Sequence, residues 1–204
     1  MKSFLKDKTF QDLEIPIKIM VYDLRNRETL SIEKGLLVDA VYRSIAIPGI
    51  FKPKVEKERV LVDGGVSDPV PVGVLLKEGI KKIIAVNVLP GPEDIYKRNM
   101  MLKKIFEQEE NLMRKGPFYA KIIIVVKRFF RNIFTPNIFD VIMTSMQSIE
   151  YMLAEASCKK IEVVLRPVLS EASSIDFHRV KDFIKRGEEE TTLYLDEIKA
   201  LAAR

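Results

Sequence analysis

Between Arg59 and Val88 the residues read as strand, turn, helix and strand, and this order constrains the fold more than any other feature of the chain. Arg59–Val62 is a short β-rich run that feeds the turn Asp63-Gly64-Gly65. After Pro69 and Pro71 a helix is expected from Val72 to Glu78, closed by Gly79 where a helix C-terminus favours glycine. Lys82–Val88, K-I-I-A-V-N-V, has the continuous apolar character of a buried strand. Parallel neighbours need a crossover helix, so the expected class is an α/β domain with a mainly parallel sheet.

The flanking segments extend this pattern. Ile15–Asp23 is a second apolar strand with Pro16 near its start, where a missing N–H is tolerated, and Thr29–Ile32 is a third. Gly35 opens a helix over Leu36–Ser44, with Leu37, Val41 and Ile45 on one face, and Pro48-Gly49 stops it. Leu89-Pro90-Gly91-Pro92 is a rigid turn before a charged helix, Glu93–Lys115, which Gly116-Pro117 breaks. Phe139–Lys159 reads as a long helix, Ile161–Arg166 as a last strand, and Phe177–Leu201 as closing helices with a break at Gly187. Nothing marks a linker or repeat, so one domain is expected: a core at 10–90, a basic and apolar cover segment at 93–135, and a closing helix, strand and helix at 138–204.

A chain of 204 residues, 47% hydrophobic, can build one real core. Its single cysteine, Cys158, forms no intramolecular disulfide and reads as a buried small hydrophobe. The opening M-K-S-F-L-K-D-K-T-F lacks the apolar run of a secretory signal, which makes a cytoplasmic setting the expectation. The longest aliphatic run, Ile122–Val126, falls far below the roughly 20 residues that cross a bilayer. Net charge is only +5, yet Lys97–Arg131 holds ten Lys or Arg against three Glu, and the remainder is slightly acidic. Such a patch either meets anionic lipid at a membrane surface or is a solvated helix face. No Cys/His cluster, H-E-x-x-H, Walker loop or EF-hand pattern occurs, so no metal, cofactor or nucleic-acid partner is expected.

A carboxylate at a strand end followed by two glycines is well placed to act, because glycine accepts backbone angles closed to other residues and the bend exposes the side chain at the sheet's rim. Alone, Asp-Gly-Gly is an ordinary turn. Here S-I-A-I-P-G-I-F-K-P, from Ser44, precedes it at short range, and V-S-D-P-V-P-V follows it. The whole string resembles the patatin-like phospholipase family, in the bacterial NTE/RssA-like esterase branch. K-T-F-Q-D-L-E-I-P-I-K-I-M-V-Y-D-L upstream, and N-I-F-D-V-I-M-T-S-M, V-V-L-R-P and S-I-D-F-H downstream, are similar to the same family.

The resemblance implies a three-layer αβα fold and a Ser–Asp dyad: a serine attacks an ester carbonyl, an Asp takes its proton, and a glycine-rich loop donates N–H groups to the oxyanion. Asp63 matches the proton acceptor, with Gly64 and Gly65 completing the motif. The family's serine sits in a G-x-S-x-G elbow, and none occurs in these residues; Ser3, Ser31 and Ser44 lack the flanking glycines. The strand, elbow and helix, with the oxyanion loop, are expected to belong before Met1. The implied portion is therefore the C-terminal one, expected to be inactive alone, with the serine-bearing N-terminal portion either a separate complementing chain or lost.

Other candidates have plainer readings beside the chemical one. Ser67 lies four residues after Asp63 but has Val66 and Asp68 as neighbours and lacks an oxyanion loop. His178, the only histidine, could serve a Ser-His-Asp relay, or stand exposed where a helix begins. Asp68 is either an acceptor that steadies the turn or the N-terminal anion of the following helix, and Asp23 holds loops at the same rim. Residues 118–134 combine five aromatic and four basic side chains, which suits a peripheral contact with the inner membrane face or a cover over the pocket. Two functions stay open: a serine esterase or phospholipase acting on acyl esters, and a non-catalytic protein that keeps the pocket to bind lipid or a partner.

Overall fold

Two tight reversals decide the first sheet. β1 (Ile19–Asp23) and β2 (Glu28–Ile32) are joined by residues 24–27, and β3 (Lys54–Glu56) and β4 (Arg59–Asp63) by only Lys57 and Glu58. Connections this short make hairpins and cannot cross over. The four strands line up in the order β2-β1-β4-β3, and each pairing is antiparallel, with Val21 opposite Leu30 on one side and Asp63 on the other. Arg27 and Lys57 take positive φ of 56° and 50° in the two reversals, a conformation that costs a non-glycine residue about 1 kcal/mol.

The computed structural model describes residues 5, 7–115, 117, 122–125, 138–170, 172 and 176–204. They fall into two units, Met1–Ala85 with Met146–Glu162, and Val86–Ser145 with Val163–Arg204. The first unit holds the four-stranded sheet, helix α1 (Leu37–Ser44) and helix α2 (Val72–Lys77). Its core is formed by Val21, Leu61 and Val62 of the sheet with Leu37, Val38 and Ala40 of α1, all 9% exposed or less. Each fully buried aliphatic side chain contributes roughly 1.5–3 kcal/mol. Gly35 and Gly79, at φ of 91° and 81°, border α1 and α2 as the punctuation of the sequence predicts.

In the second unit Val163 and Leu165 of β6 (Val163–Leu165) pack with Leu201, Tyr194 and Ile198. Strand β5 (Ile84–Val86), within which the division runs, pairs with β6 in a two-stranded sheet. Asn87, just past β5, donates its N–H to O of Leu165, the last residue of β6, at 2.9 Å, so the two strands run parallel. Beyond β5 lies α3 (Pro92–Lys115), and α4 (Ile138–Cys158), α5 (Val180–Leu193) and α6 (Leu195–Ala203) follow in chain order.

The α/β class is realised, with three differences from expectation. Among the described residues parallel pairing is confined to β5 and β6, because the larger sheet is built on hairpins. Lys82–Val88 is also not buried throughout: Ile83, Ala85 and Asn87 are 5% exposed or less, whereas Ile84, Val86 and Val88 alternate with them at 43–64%. A strand with one covered face shows this period of two. A third difference lies near the C-terminus. The expected break at Gly187 is absent, and the closing helices divide at Tyr194 instead. There the Thr191 and Thr192 hydroxyls donate to O of Gly187 and Glu188, each at 2.8 Å, a back-bonding that often bends a helix.

Candidate active site

Asp63 ends β4 and is the N-cap of a single 3-10 turn, Gly64–Val66. Its Oδ1 accepts the Gly65 N–H at 2.8 Å, and its own N–H donates to O of Ala46 at 3.2 Å. Its Oδ2 has no hydrogen-bond partner among the described residues. The carboxyl is half-buried; burial pushes its pKa above the ordinary carboxylate value, and the Gly65 N–H opposes part of that rise. One oxygen is pinned and the other is open, which is the arrangement a proton acceptor needs.

The glycines serve the site through space rather than through backbone angle. Neither Gly64 nor Gly65 has positive φ, contrary to the expectation from the sequence. A Cβ on Gly64 would lie 2.7 Å from both C and O of Met20, inside any real contact distance. A Cβ on Gly65 would lie 3.3 Å from Asp63 Oδ1, against the carboxylate itself. Ser44 Oγ donates to the same Met20 carbonyl at 2.8 Å. The Ser44 string and the Asp-Gly-Gly turn thus converge on one stretch of β1, the middle strand that both of them need.

Around Asp63 the other candidates divide clearly. Ser67 Oγ shares a 2.8 Å hydrogen bond with Thr29 Oγ1 and contacts O of Gly64 at 3.4 Å, so its hydroxyl is engaged away from Asp63. Asp68 donates its N–H to O of Gly64 at 3.0 Å. Burial pushes the Asp68 carboxyl up, with the Lys77 charge opposing, while the N-cap of α2 is Pro71. Ser31 Oγ donates to Glu33, and Ser3 lies outside the described residues.

Asp23 is wholly buried at the end of β1, where it holds the rim as expected. It accepts from Arg25 N–H at 3.0 Å, Asn26 Nδ2 at 2.7 Å and Val60 N–H at 3.2 Å, with Arg59 Nε at 3.7 Å. Burial pushes this carboxyl up, but the hydrogen bonds from Val60, Asn26 and Arg25 outweigh it and leave the pKa below the ordinary value.

His178 is exposed in a 3-10 turn, Phe177–Arg179, of the second unit, and Cys158 is 3% exposed in the first. The aromatic and basic side chains of 118–134 lie outside the described residues. Of that segment the structure describes 122–125, a helical run in which Ile124 is 6% exposed and Ile122, Ile123 and Val125 are half-exposed. Among the described residues no helix is long and apolar enough to cross a membrane. None of their groups of three or more His, Cys, Asp or Glu could hold a metal ion.

One residue escaped the sequence reading. Glu150, on the part of α4 that belongs to the first unit, is half-buried, and burial together with the negative charge of Asp63 pushes its carboxyl up. The readable signal was its place, four residues before Ala154 and eight before Cys158, on the inward stripe of a helix.

Residues 1–76 match the family model of the patatin-like phospholipases. Uncharacterized NTE family proteins of Mycobacterium bovis and of two strains of Mycobacterium tuberculosis are each 33% identical over 78 residues. That stretch is 38% of this chain and 22% of each relative, so the chain spans less than a quarter of the relatives it matches. The downstream strings that resemble the family lie beyond residue 76. Residues 1–76, which hold the four-stranded sheet and the Asp63-Gly64-Gly65 turn, are thus the part of the chain that is similar to the patatin-like phospholipases.

Proposed function

We propose that this chain carries the proton-accepting part of a lipid acyl hydrolase that cleaves acyl esters or phospholipids. The observation that carries the reading is the Asp63 carboxyl, with Oδ1 held by Gly65 and Oδ2 open, inside the patatin-like segment. Asp63 accepts the hydroxyl proton of a serine as that oxygen attacks the ester carbonyl, and returns it to the departing alkoxide. Water, deprotonated in the same way, then releases the acyl group. Positioned base catalysis of this kind is worth about 10²–10⁴ in rate.

The serine and the oxyanion donors come from sequence outside these 204 residues, since no G-x-S-x-G lies within them. In this reading the hydrolase works at the cytoplasmic side, with 118–134 against the membrane that supplies substrate.

The test is hydrolysis of a short-chain p-nitrophenyl ester by the purified chain, alone and combined with a G-x-S-x-G-bearing N-terminal patatin-like segment. Activity only in the combination, lost on Asp63→Asn, is the expected result. A folded chain that stays silent in both, yet retains lipid on vesicles, would replace the enzyme with the non-catalytic binding protein. Hydrolysis by the chain alone would overturn the assignment of the nucleophile and return Ser67 to consideration.

A further inference from the structure

Along α3 most of the described side chains are open to solvent. A helix left in water is expected to be polar all round. This one is not: Tyr96, Met100, Met101, Ile105 and Leu112 are 42–65% exposed. At about 100° per residue, Met101, Ile105 and Leu112, four and seven residues apart, fall within one narrow stripe. Lys97 and Lys104 line one flank of that stripe and Arg98 the other, and all three are exposed.

Charge is ordered along the helix as well. From Tyr96 to Phe106 stand four Lys or Arg and no Asp or Glu. Asp94, ahead of this run, is engaged at the helix start, where it accepts the Gly91 N–H at 3.0 Å and the Ser170 hydroxyl at 2.6 Å. Of the acids that follow, Glu107 and Glu110 fall on the side away from the stripe, and Glu109 borders it. A solvated face has no need of the stripe, and a core-facing stripe would be covered. An exposed apolar stripe between cationic flanks is the build of a helix that lies in a membrane interface, with lysine stems reaching back to the headgroups. Among the described residues no helix is long and apolar enough to cross a membrane, so α3 can only lie along one. Flanks that offer cations with no acid among them suit a uniformly anionic surface better than a second copy bearing the same flanks.

We propose that α3 is a lipid-surface element: the stripe of Met101, Ile105 and Leu112 enters the interface of an anionic bilayer while Lys97, Arg98 and Lys104 meet its headgroups. That this contact delivers substrate rests on the hydrolase reading; the contact itself does not.

The experiment is binding of the full chain to vesicles of phosphatidylcholine alone and of equal parts phosphatidylcholine and phosphatidylglycerol, followed by sedimentation and fluorescence. The chain has no tryptophan, so Ile105→Trp places a single reporter in the stripe. Its emission should shift to the blue, and be quenched by brominated lipid, on the anionic vesicles and not on the neutral ones. Each lysine near such a surface counts for about fivefold in affinity, so Lys97→Gln combined with Lys104→Gln should weaken binding about thirtyfold. Met101→Gln combined with Leu112→Gln should weaken it too, with the circular dichroism spectrum unchanged. Absence of binding to the anionic vesicles would overturn the proposal. So would binding that ignores these α3 variants and is lost with Lys127→Gln and Arg128→Gln, which would leave 118–134 as the contact. A blue shift that grows with protein concentration in the absence of lipid would replace the bilayer with a second copy of the chain. Cleavage of a soluble short-chain ester by the combined hydrolase needs no membrane. Its survival in the Lys97→Gln, Lys104→Gln variant is expected, and it separates failure of this contact from failure of Asp63 as proton acceptor.

Discussion

Replacing Gly64 by alanine adds one methyl group where the structure has no room for it. The new Cβ would lie 2.7 Å from C and O of Met20 and 2.8 Å from its Cβ. These are mostly backbone atoms of β1, which is hydrogen-bonded to β2 and β4 on its two sides and cannot swing away as a flexible side chain would. Overpacking in a well-packed site costs typically 1–3 kcal/mol, and the rigid neighbour puts this case near about 3 kcal/mol. For a chain of this size that is a fall of roughly 6–12 °C in Tm.

Gly65→Ala is the internal control. Its Cβ meets only the Asp63 carboxylate at 3.3 Å, so stability should change by less than about 1 kcal/mol while the carboxylate is displaced. Thermal and urea unfolding followed by circular dichroism would measure both. A Gly64→Ala protein within about 0.5 kcal/mol of wild type, or a Gly65→Ala protein equally damaged, would refute the argument that space dictates the first glycine.

Three further outcomes are expected. Glu190 is 6% exposed and accepts from Arg166 N–H at 2.9 Å and from Arg186 at 2.8 Å, so Glu190→Ala should cost about 1–3 kcal/mol in denaturant unfolding. Gly187 lies inside α5 with nothing within 4 Å of an added Cβ, so Gly187→Ala should stabilise by about 0.5–1 kcal/mol in the same assay. Asp23→Asn should destabilise in a pH-dependent way: the native pKa lies below the unfolded one, so the wild-type contribution is complete above the unfolded value of about 4 and fades as pH falls through the native value. The stability gap between the two proteins should therefore narrow in acid, and a constant gap would contradict the hydrogen-bond account.

Local chemistry carried the sequence reading where one segment decides the outcome. The helix borders at Gly35 and Gly79 and the strand ending in Asp63 follow from glycine and from apolar period. The antiparallel sheet did not, because Lys54–Glu56 is charged and half-polar and its turn, Lys57-Glu58, has neither the glycine nor the asparagine that announces a hairpin. Without that hairpin the helix between β4 and β5 looked like a crossover in one continuous sheet. Within the site, Asp63 was legible from its string of neighbours. Glu150 was not, since its raised carboxyl reflects burial and a charge 87 positions away in the chain, at Asp63, which no local pattern records.

The most direct test of the central claim is kcat/KM for a short-chain acyl ester in the combined hydrolase, wild type against Asp63→Asn, with folding of both verified. Loss by a factor of about 10²–10⁴ at unchanged fold is the prediction of a proton acceptor at this position. A variant within tenfold of wild type would contradict it, and Asp63 would then be a structural N-cap of the Gly64–Val66 turn.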